Sequence, residues 1–142
     1  MKKQKNRYLK FLNRMYVADT NALLWFLTDD DRLGNEAKKI FIKSDDGETT
    51  IIVPPIVLAE SLFIAEKHRV DVQFRTVLDR IDEGLNYDVY PLDLEVILRC
   101  QGMRGFELHD RIIMATAKLL NAKLLSKDGK IRKSGIVECV WG

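Results

Sequence analysis

Apolar and polar residues alternate along this chain in blocks that predict strands and helices in turn. Residues 15–18 and 49–53 form short apolar or β-branched runs, which are typical of buried strands. Residues 20–27 and 36–44 instead carry apolar side chains at helical spacing. Further helices are predicted at 55–69, 71–83, 93–102 and 109–122, and further strands at 87–92, 122–126 and 135–141.

The order of these elements sets the expected architecture. About five short strands, separated mostly by helices, predict an α/β sandwich built around a mainly parallel sheet. No internal repeat, low-complexity segment or linker interrupts the 142 residues. We therefore expect one domain over residues 15–142.

Charge is distributed unevenly along the chain. Residues 1–14 hold six basic residues and no acidic one, and since the whole chain has a net charge of +2, the remainder carries −4. We therefore treat residues 1–14 as a basic N-terminal extension. A solvated tail, a cloning remnant or a natural start at Met15 would explain it, and so would an electrostatic arm that binds phosphates.

Composition narrows the class of protein. Hydrophobic residues make up 46% and charged residues 31%, as in ordinary soluble domains. No apolar run approaches the roughly 20 residues that span a bilayer, and the first ten residues lack the apolar core of a signal peptide. Cys100 and Cys139 do not have the spacing of a zinc or redox motif. We expect a cytoplasmic protein that does not bind a membrane.

Four acidic residues occupy positions where open parallel sheets form binding sites, outside the carboxyl ends of the strands. Asp19 follows the first strand, and Glu60 lies early in the helix after the second. Asp110 opens the helix that leads into the fourth strand, and Asp128 follows that strand. Taken singly, each has an ordinary explanation as a helix cap, a turn residue or a solvent-facing position.

Taken together, the four acids indicate a metal site. Carboxylates that share one pocket repel each other, and a divalent cation compensates that repulsion directly. Oxygen ligands favour Mg²⁺ or Mn²⁺ over zinc. Two such ions, roughly 3.5–4 Å apart, can activate a water and stabilise the leaving oxygen in phosphodiester cleavage.

Four segments of the chain resemble the acidic motifs of the PIN-domain family, namely VADTNALLW, PPIVLAES, HDRIIMATA and LLSKDGKI. The resemblance runs from about Met15 to Trp141 and is strongest to the VapC-type toxins, the ribonuclease members of toxin–antitoxin pairs. It implies a five-stranded parallel sheet in a three-layer α/β/α sandwich. It also implies endoribonuclease activity that depends on Mg²⁺ or Mn²⁺. The acids that match the family's catalytic, metal-holding positions are Asp19, Glu60, Asp110 and Asp128.

Other residues are assigned around these acids. Thr20, Asn21 and Ser126 match polar positions beside the first and last acids, where they would orient the carboxylates, although capping and turn hydrogen bonds explain them equally well. Arg111 and Lys127 adjoin acids and are predicted to contact RNA phosphates. Neither His68 nor His109 is assigned a catalytic role, because a two-metal mechanism needs no histidine base. Trp25 and Phe26 are expected in the core.

The resemblance also implies partners: an RNA substrate, a small antitoxin protein and a second copy of the chain. Much of the protein-binding surface is predicted on the helices within 55–83, because they hold more apolar residues than one core face needs. The residues behind this prediction are Val57, Phe63, Ile64, Val70 and Phe74. Two alternatives stay open: a PIN nuclease of RNA processing or decay that has no antitoxin, and a non-catalytic RNA- or protein-binding PIN module.

Overall fold

A parallel sheet of five strands lies at the centre of the computed structural model, which describes residues 14–84 and 86–142. The strands are β1 (Met15–Ala18), β2 (Thr50–Val53), β3 (Tyr87–Val89), β4 (Lys123–Leu125) and β5 (Cys139–Val140). Their spatial order is β3-β2-β1-β4-β5, and each neighbouring pair is parallel. The predicted α/β architecture is confirmed.

Helices connect the strands and cover both faces of the sheet, which gives the three-layer α/β/α sandwich. Within the described residues they are α1 (Thr20–Leu27), α2 (Asn35–Asp45), α3 (Pro55–Glu66), α4 (Phe74–Glu83), α5 (Leu94–Cys100), α6 (Leu108–Leu119) and α7 (Gly129–Ser134). Helix α6 packs against β1, β4 and α5, while α2 packs against β2.

The strands are apolar throughout because both faces of the sheet are covered. Val17, Ile52 and Leu124 lie on the three central strands and are at most 1% exposed. Larger side chains from the helices, such as Phe41 and Met114, complete the core with no exposed surface. Burial of these side chains is the main force that holds the layers together.

The connections reverse direction at β1. The chain runs outward from β1 to β2 and β3, and then returns to place β4 on the other side of β1. Ala18 and Leu125 are paired at the carboxyl ends of β1 and β4, and the Asp19 N–H donates to the Leu125 carbonyl at 3.3 Å. Open α/β sheets form their binding crevices at such a reversal.

Four predicted helices are longer than the observed ones; those predicted over 93–102 and 109–122 end at Cys100 and Leu119. The helix predicted over 55–69 ends at Glu66, because His68 adopts a left-handed conformation with φ of 53°. The helix predicted over 71–83 begins at Phe74, because the Val72 N–H bonds to the Val70 carbonyl in a tight turn.

The C-terminal segment differs more from the prediction. Helix α7 begins directly after Asp128, where the sequence predicts no helix, and the strand predicted over 135–141 is reduced to β5, Cys139–Val140. Gly135 ends α7 with a φ of 71°. The residues that follow return the chain to the edge of the sheet, which leaves only Cys139–Val140 as a strand.

Helix α3 corrects the surface prediction. Val57 is completely buried, so it belongs to the core and not to a protein-binding surface. Leu62 is 40% exposed and Phe63 is 48% exposed, so part of the apolar surface of α3 faces solvent. Helix α3 is apolar almost all round, so the spacing of its apolar residues does not indicate which side is buried.

The basic extension predicted at residues 1–14 lies, apart from Arg14, outside the described residues. Among the described helices, none combines the length and the apolar character that a membrane crossing requires.

Candidate active site

A cleft of about 280 Å³ opens at the carboxyl edge of the sheet, where β1 and β4 end. The four acids predicted from the sequence, which come from four separate segments of the chain, all line it: Asp19, Glu60, Asp110 and Asp128. Thr20, Asn21, Ser126 and Lys127 line the same cleft. The structure therefore brings together all but one of the predicted site residues, the exception being Arg111.

Asp19 lies at the junction of β1 and α1 and caps the helix. Its Oδ1 accepts the Ala22 N–H at 2.8 Å, which fixes the carboxylate at the base of the cleft. Burial raises the pKa of Asp19 to about 6, the charges of Asp110 and Glu60 add to this rise, and hydrogen bonds from Ala22 and Ser126 oppose it. The carboxylate is thus held where its charge is only partly compensated by the protein.

Glu60 reaches the cleft from the second turn of α3. Its Oε1 accepts a hydrogen bond from the Thr20 hydroxyl at 2.8 Å, and Thr20 itself is only 7% exposed. This bond joins the start of α1 to α3 and sets the orientation of the glutamate. Thr20 therefore orients Glu60, whereas its place in the sequence suggested a role beside Asp19.

Asp110 lies in the first turn of α6, whose N-cap position is occupied by Glu107. Asp110 is therefore not a helix cap, the ordinary explanation that its sequence position allowed. Burial raises its pKa, His109 lowers it, and the negative charges of Asp128, Glu107 and Glu60 raise it further. The helix start also favours a carboxylate in this turn.

Asp128 and Ser126 form the fourth corner of the cleft. Asp128 caps α7, since its Oδ1 accepts the N–H groups of Lys130 at 2.9 Å and Ile131 at 3.1 Å. The Ser126 hydroxyl oxygen accepts the Asp128 N–H at 3.1 Å, and the same hydroxyl stabilises the Asp19 carboxylate. Ser126 is completely buried, so it links the two acids at the ends of β1 and β4.

His109, to which the sequence analysis assigns no catalytic role, also lies at the site. It lines the cleft, with its Nε2 3.4 Å from Asp110 Oδ1 and its Nδ1 3.5 Å from Glu107 Oε2. Its place between two acids, in the segment Glu107-Leu108-His109-Asp110, was the signal that could have indicated this position.

The basic residues around the cleft make different contacts. The Lys127 ammonium lies 4.7 Å from the centre of the Trp25 ring. Arg111 donates from Nε to the Phe106 carbonyl at 2.7 Å, and Lys130 donates to the Gly105 carbonyl and lies over the Phe106 ring. Arg111 and Lys130 thereby hold the loop between α5 and α6, and RNA contact by Arg111 stays a prediction.

The chemistry of the donor set fits a divalent cation. All four acids offer hard oxygen ligands, and the pKa of about 6 at Asp19 reports a buried negative charge that a cation would compensate. As the described side chains stand, no three His, Cys, Asp or Glu residues are grouped closely enough to hold an ion. The four carboxylates would therefore have to lie closer together to share one ion.

Comparison with known proteins agrees with this fold. A family model described as the PIN domain matches residues 16–136. No curated protein matches the chain at a significant level. Among solved structures, VapBC2 from Rickettsia felis, described as bound to a DNA fragment from its promoter, is 17% identical with a TM-score of 0.67, over 90% of this chain and 99% of that one.

Two further structures show the same fold. A toxin–antitoxin complex from Klebsiella pneumoniae is 22% identical with a TM-score of 0.62, over 88% of this chain and 95% of that one. VapC20 from Mycobacterium tuberculosis, described as a toxin that cleaves the sarcin–ricin loop, is 15% identical with a TM-score of 0.62, over 89% of this chain and 99% of that one. Because the family match spans most of the chain, this protein belongs to the PIN-domain family.

Proposed function

We propose that this protein is a metal-dependent endoribonuclease and the toxin of a type II toxin–antitoxin pair. One observation carries the nuclease part: four carboxylates from four segments line a single cleft at the reversal point of the sheet. A structural role would not require four repelling acids to share one cleft. Membership of the PIN-domain family supports the same activity.

The protein's own residues hold and orient the reacting groups. Asp19, Glu60, Asp110 and Asp128 would hold Mg²⁺ or Mn²⁺, which when bound would activate water and neutralise charge on the phosphodiester. Thr20 fixes Glu60, and Ser126 links Asp19 to Asp128. The reaction is hydrolysis, in which water adds to phosphorus, the bond to the leaving oxygen breaks, and that oxygen receives a proton.

Cleavage of RNA by single acid variants tests this function. Wild type, Asp19→Asn and Asp110→Asn are incubated with single-stranded RNA and with Mg²⁺ or Mn²⁺. We expect each substitution to reduce the rate at least 100-fold, whereas Asp46→Asn, an exposed acid at the end of α2, should leave it within twofold. Folded Asp19→Asn and Asp110→Asn proteins that cleave like wild type would refute the proposal.

The antitoxin is proposed to bind beside the cleft, on the exposed part of α3. Phe63 is exposed and has Lys67 at 5.7 Å and Arg69 at 5.3 Å from its ring, while the adjacent Ile64 lines the cleft. An apolar side chain between two cations suits a peptide that is itself both apolar and acidic. Co-purification with the product of a neighbouring short reading frame, and its loss in Phe63→Glu, would support this partner. A chain without such a neighbour would instead be a nuclease of RNA processing or decay.

A second copy of the chain is proposed to bind at α5. This helix presents three apolar residues on its outer side: Leu94 is 71% exposed, Ile97 43% and Leu98 50%. Glu95 and Arg99 lie two residues on either side of Ile97. Because they are four residues apart, both charges lie on the same flank of the apolar face, so in an antiparallel two-fold pair that buries this face the Glu95 of each copy can lie beside the Arg99 of the other at the rim.

A further inference from the structure

Two cations lie against the same aromatic ring at the edge of the cleft. The Lys127 ammonium is 4.7 Å and the Arg32 guanidinium carbon 4.6 Å from the centre of the Trp25 ring. The ring is only 4% exposed and its edge packs against Trp141, with 6.0 Å between the ring centres. Trp25 is therefore a fixed surface that orients two otherwise flexible side chains.

Lys127 is positioned to bind an anion. It is exposed, it lines the cleft, and no ion pair joins it to a carboxylate anywhere in the described residues. Arg32 pairs with Asp30 through Nε at 3.0 Å and Nη2 at 2.8 Å, so part of its guanidinium fork is still available. Because this pair is exposed, a phosphate can compete with Asp30.

Two other basic residues near the site acids offer less accessible positive charge. Arg111 and Lys130 both donate to carbonyls of the loop between α5 and α6, and Lys130 also covers Phe106. A polyanion that enters a cleft with four carboxylates needs cations beside it. Lys127 and Arg32 provide them on the side of Trp25.

We propose that Lys127 and Arg32, oriented by Trp25, form a subsite that binds RNA phosphates next to the scissile one. The inference rests on the proposed ribonuclease function and adds a direction: the RNA leaves the cleft past Lys127 towards Arg32. Lys127 and Arg32 contact the substrate. Trp25 is a positioning residue, because it acts only by holding the two cations.

The test measures RNA binding separately from cleavage. A fluorescent single-stranded 12-nucleotide RNA is titrated with full-length protein carrying Asp19→Asn, and its anisotropy is recorded from 50 to 300 mM KCl. We expect Lys127→Met to weaken binding about tenfold and to lower the salt slope by roughly 0.7, the contribution of one single-strand phosphate contact. Arg32→Met should weaken binding about threefold, and Lys133→Met, an exposed lysine of α7 outside the cleft, less than twofold.

The role of Trp25 is tested by non-additivity. Trp25→Leu should weaken RNA binding as much as Lys127→Met does. The double variant Trp25→Leu/Lys127→Met should lose no more RNA affinity than the double variant Lys127→Met/Arg32→Met. Trp25→Phe keeps an aromatic face and should bind within twofold, which protects the test if Trp25→Leu fails to fold. With Asp19 restored, Lys127→Met should raise KM and leave kcat unchanged.

Three results would overturn the subsite: equal losses of RNA affinity in Lys127→Met and Lys133→Met, an unchanged salt slope in Lys127→Met, or a wild type that binds no RNA. A wild type that binds RNA with the predicted Lys127 dependence but cleaves none in Mg²⁺ or Mn²⁺ would overturn the proposed nuclease and support the subsite.

Discussion

The Thr20 hydroxyl donates a 2.8 Å hydrogen bond to Glu60 Oε1 and thereby joins two helices that are forty residues apart in the chain. Thr20 is the first residue of α1 and directly follows Asp19, so the same turn places one site acid and orients another. The geometry of the cleft at this point depends on one hydroxyl group.

Removal of that hydroxyl should weaken metal binding more than it weakens the fold. Thr20→Val keeps the shape of the side chain and deletes the donor, so Glu60 loses its fixed orientation. We expect Mn²⁺ affinity, measured by calorimetry, to fall about tenfold or more, and the free energy of unfolding to change by about 1 kcal/mol. Thr20→Ser keeps the hydroxyl and is the control. Wild-type Mn²⁺ affinity in Thr20→Val would show that the bond does not organise the site.

Ionisation of Asp19 should lower the free energy of unfolding as pH rises. Burial raises its pKa to about 6, so the folded protein binds a proton more tightly than the unfolded chain, whose group titrates near 3.8. The stabilising contribution is complete below pH 3.8 and is lost as pH rises to about 6, at a cost of at most about 3 kcal/mol. Asp19→Asn, which can still cap α1, removes this loss.

Urea unfolding in EDTA measures this effect. We expect Asp19→Asn to be more stable than wild type at pH 8 by about 1–3 kcal/mol and to match it near pH 4. Asp46→Asn, at an exposed position, should show no such pH-dependent difference. An Asp19→Asn protein that is less stable than wild type at pH 8 would contradict the pKa rise at Asp19.

The elements that the sequence predicted well are those with a strong local signal. Strand β1 was predicted because its apolar run has sharp ends, and the position of Asp19 followed, since parallel strands end at one edge of the sheet. Helix α7 was missed because its six residues, GKIRKS, bury only Ile131 and so show no apolar period. Asp128, which the sequence places directly after a strand, caps this helix.

Contacts between side chains far apart in the chain were beyond the sequence. The position of Lys127 over Trp25 depends on how the end of β4 meets α1, which neither segment encodes alone. In the same way, adjacency to Asp110 does not reveal that the Arg111 Nε bonds to the Phe106 carbonyl. The positions of the acids relative to the predicted strands indicated which acids share the cleft. The contacts of the basic side chains around them depend on tertiary packing.

A side chain at Gly34 should destabilise the fold. Gly34 precedes α2, and a Cβ there would lie 2.2 Å from the Trp141 carbonyl oxygen, which accepts the Ala37 N–H at 2.9 Å. The backbone cannot give way without losing that bond, so Gly34→Ala should cost about 1–3 kcal/mol in chemical denaturation. The control is Gly129→Ala, where a Cβ meets no atom within 4 Å and helix α7 should gain up to about 1 kcal/mol. Equal stabilities of the two variants would contradict the close approach of Trp141.

A charge at Ile97 should separate the proposed dimer. Ile97 belongs to the apolar face of α5, so Ile97→Arg places a positive charge of each copy in the proposed interface and leaves each copy folded, because the side chain is 43% exposed. Light scattering at micromolar concentration should give twice the mass of one chain, 16.4 kDa, for wild type and a single chain for the variant. Ile42→Arg introduces the same charge at an equally exposed isoleucine on α2 and should remain a dimer. A monomeric wild type would refute the dimer, and a dimeric Ile97→Arg variant would place the interface elsewhere.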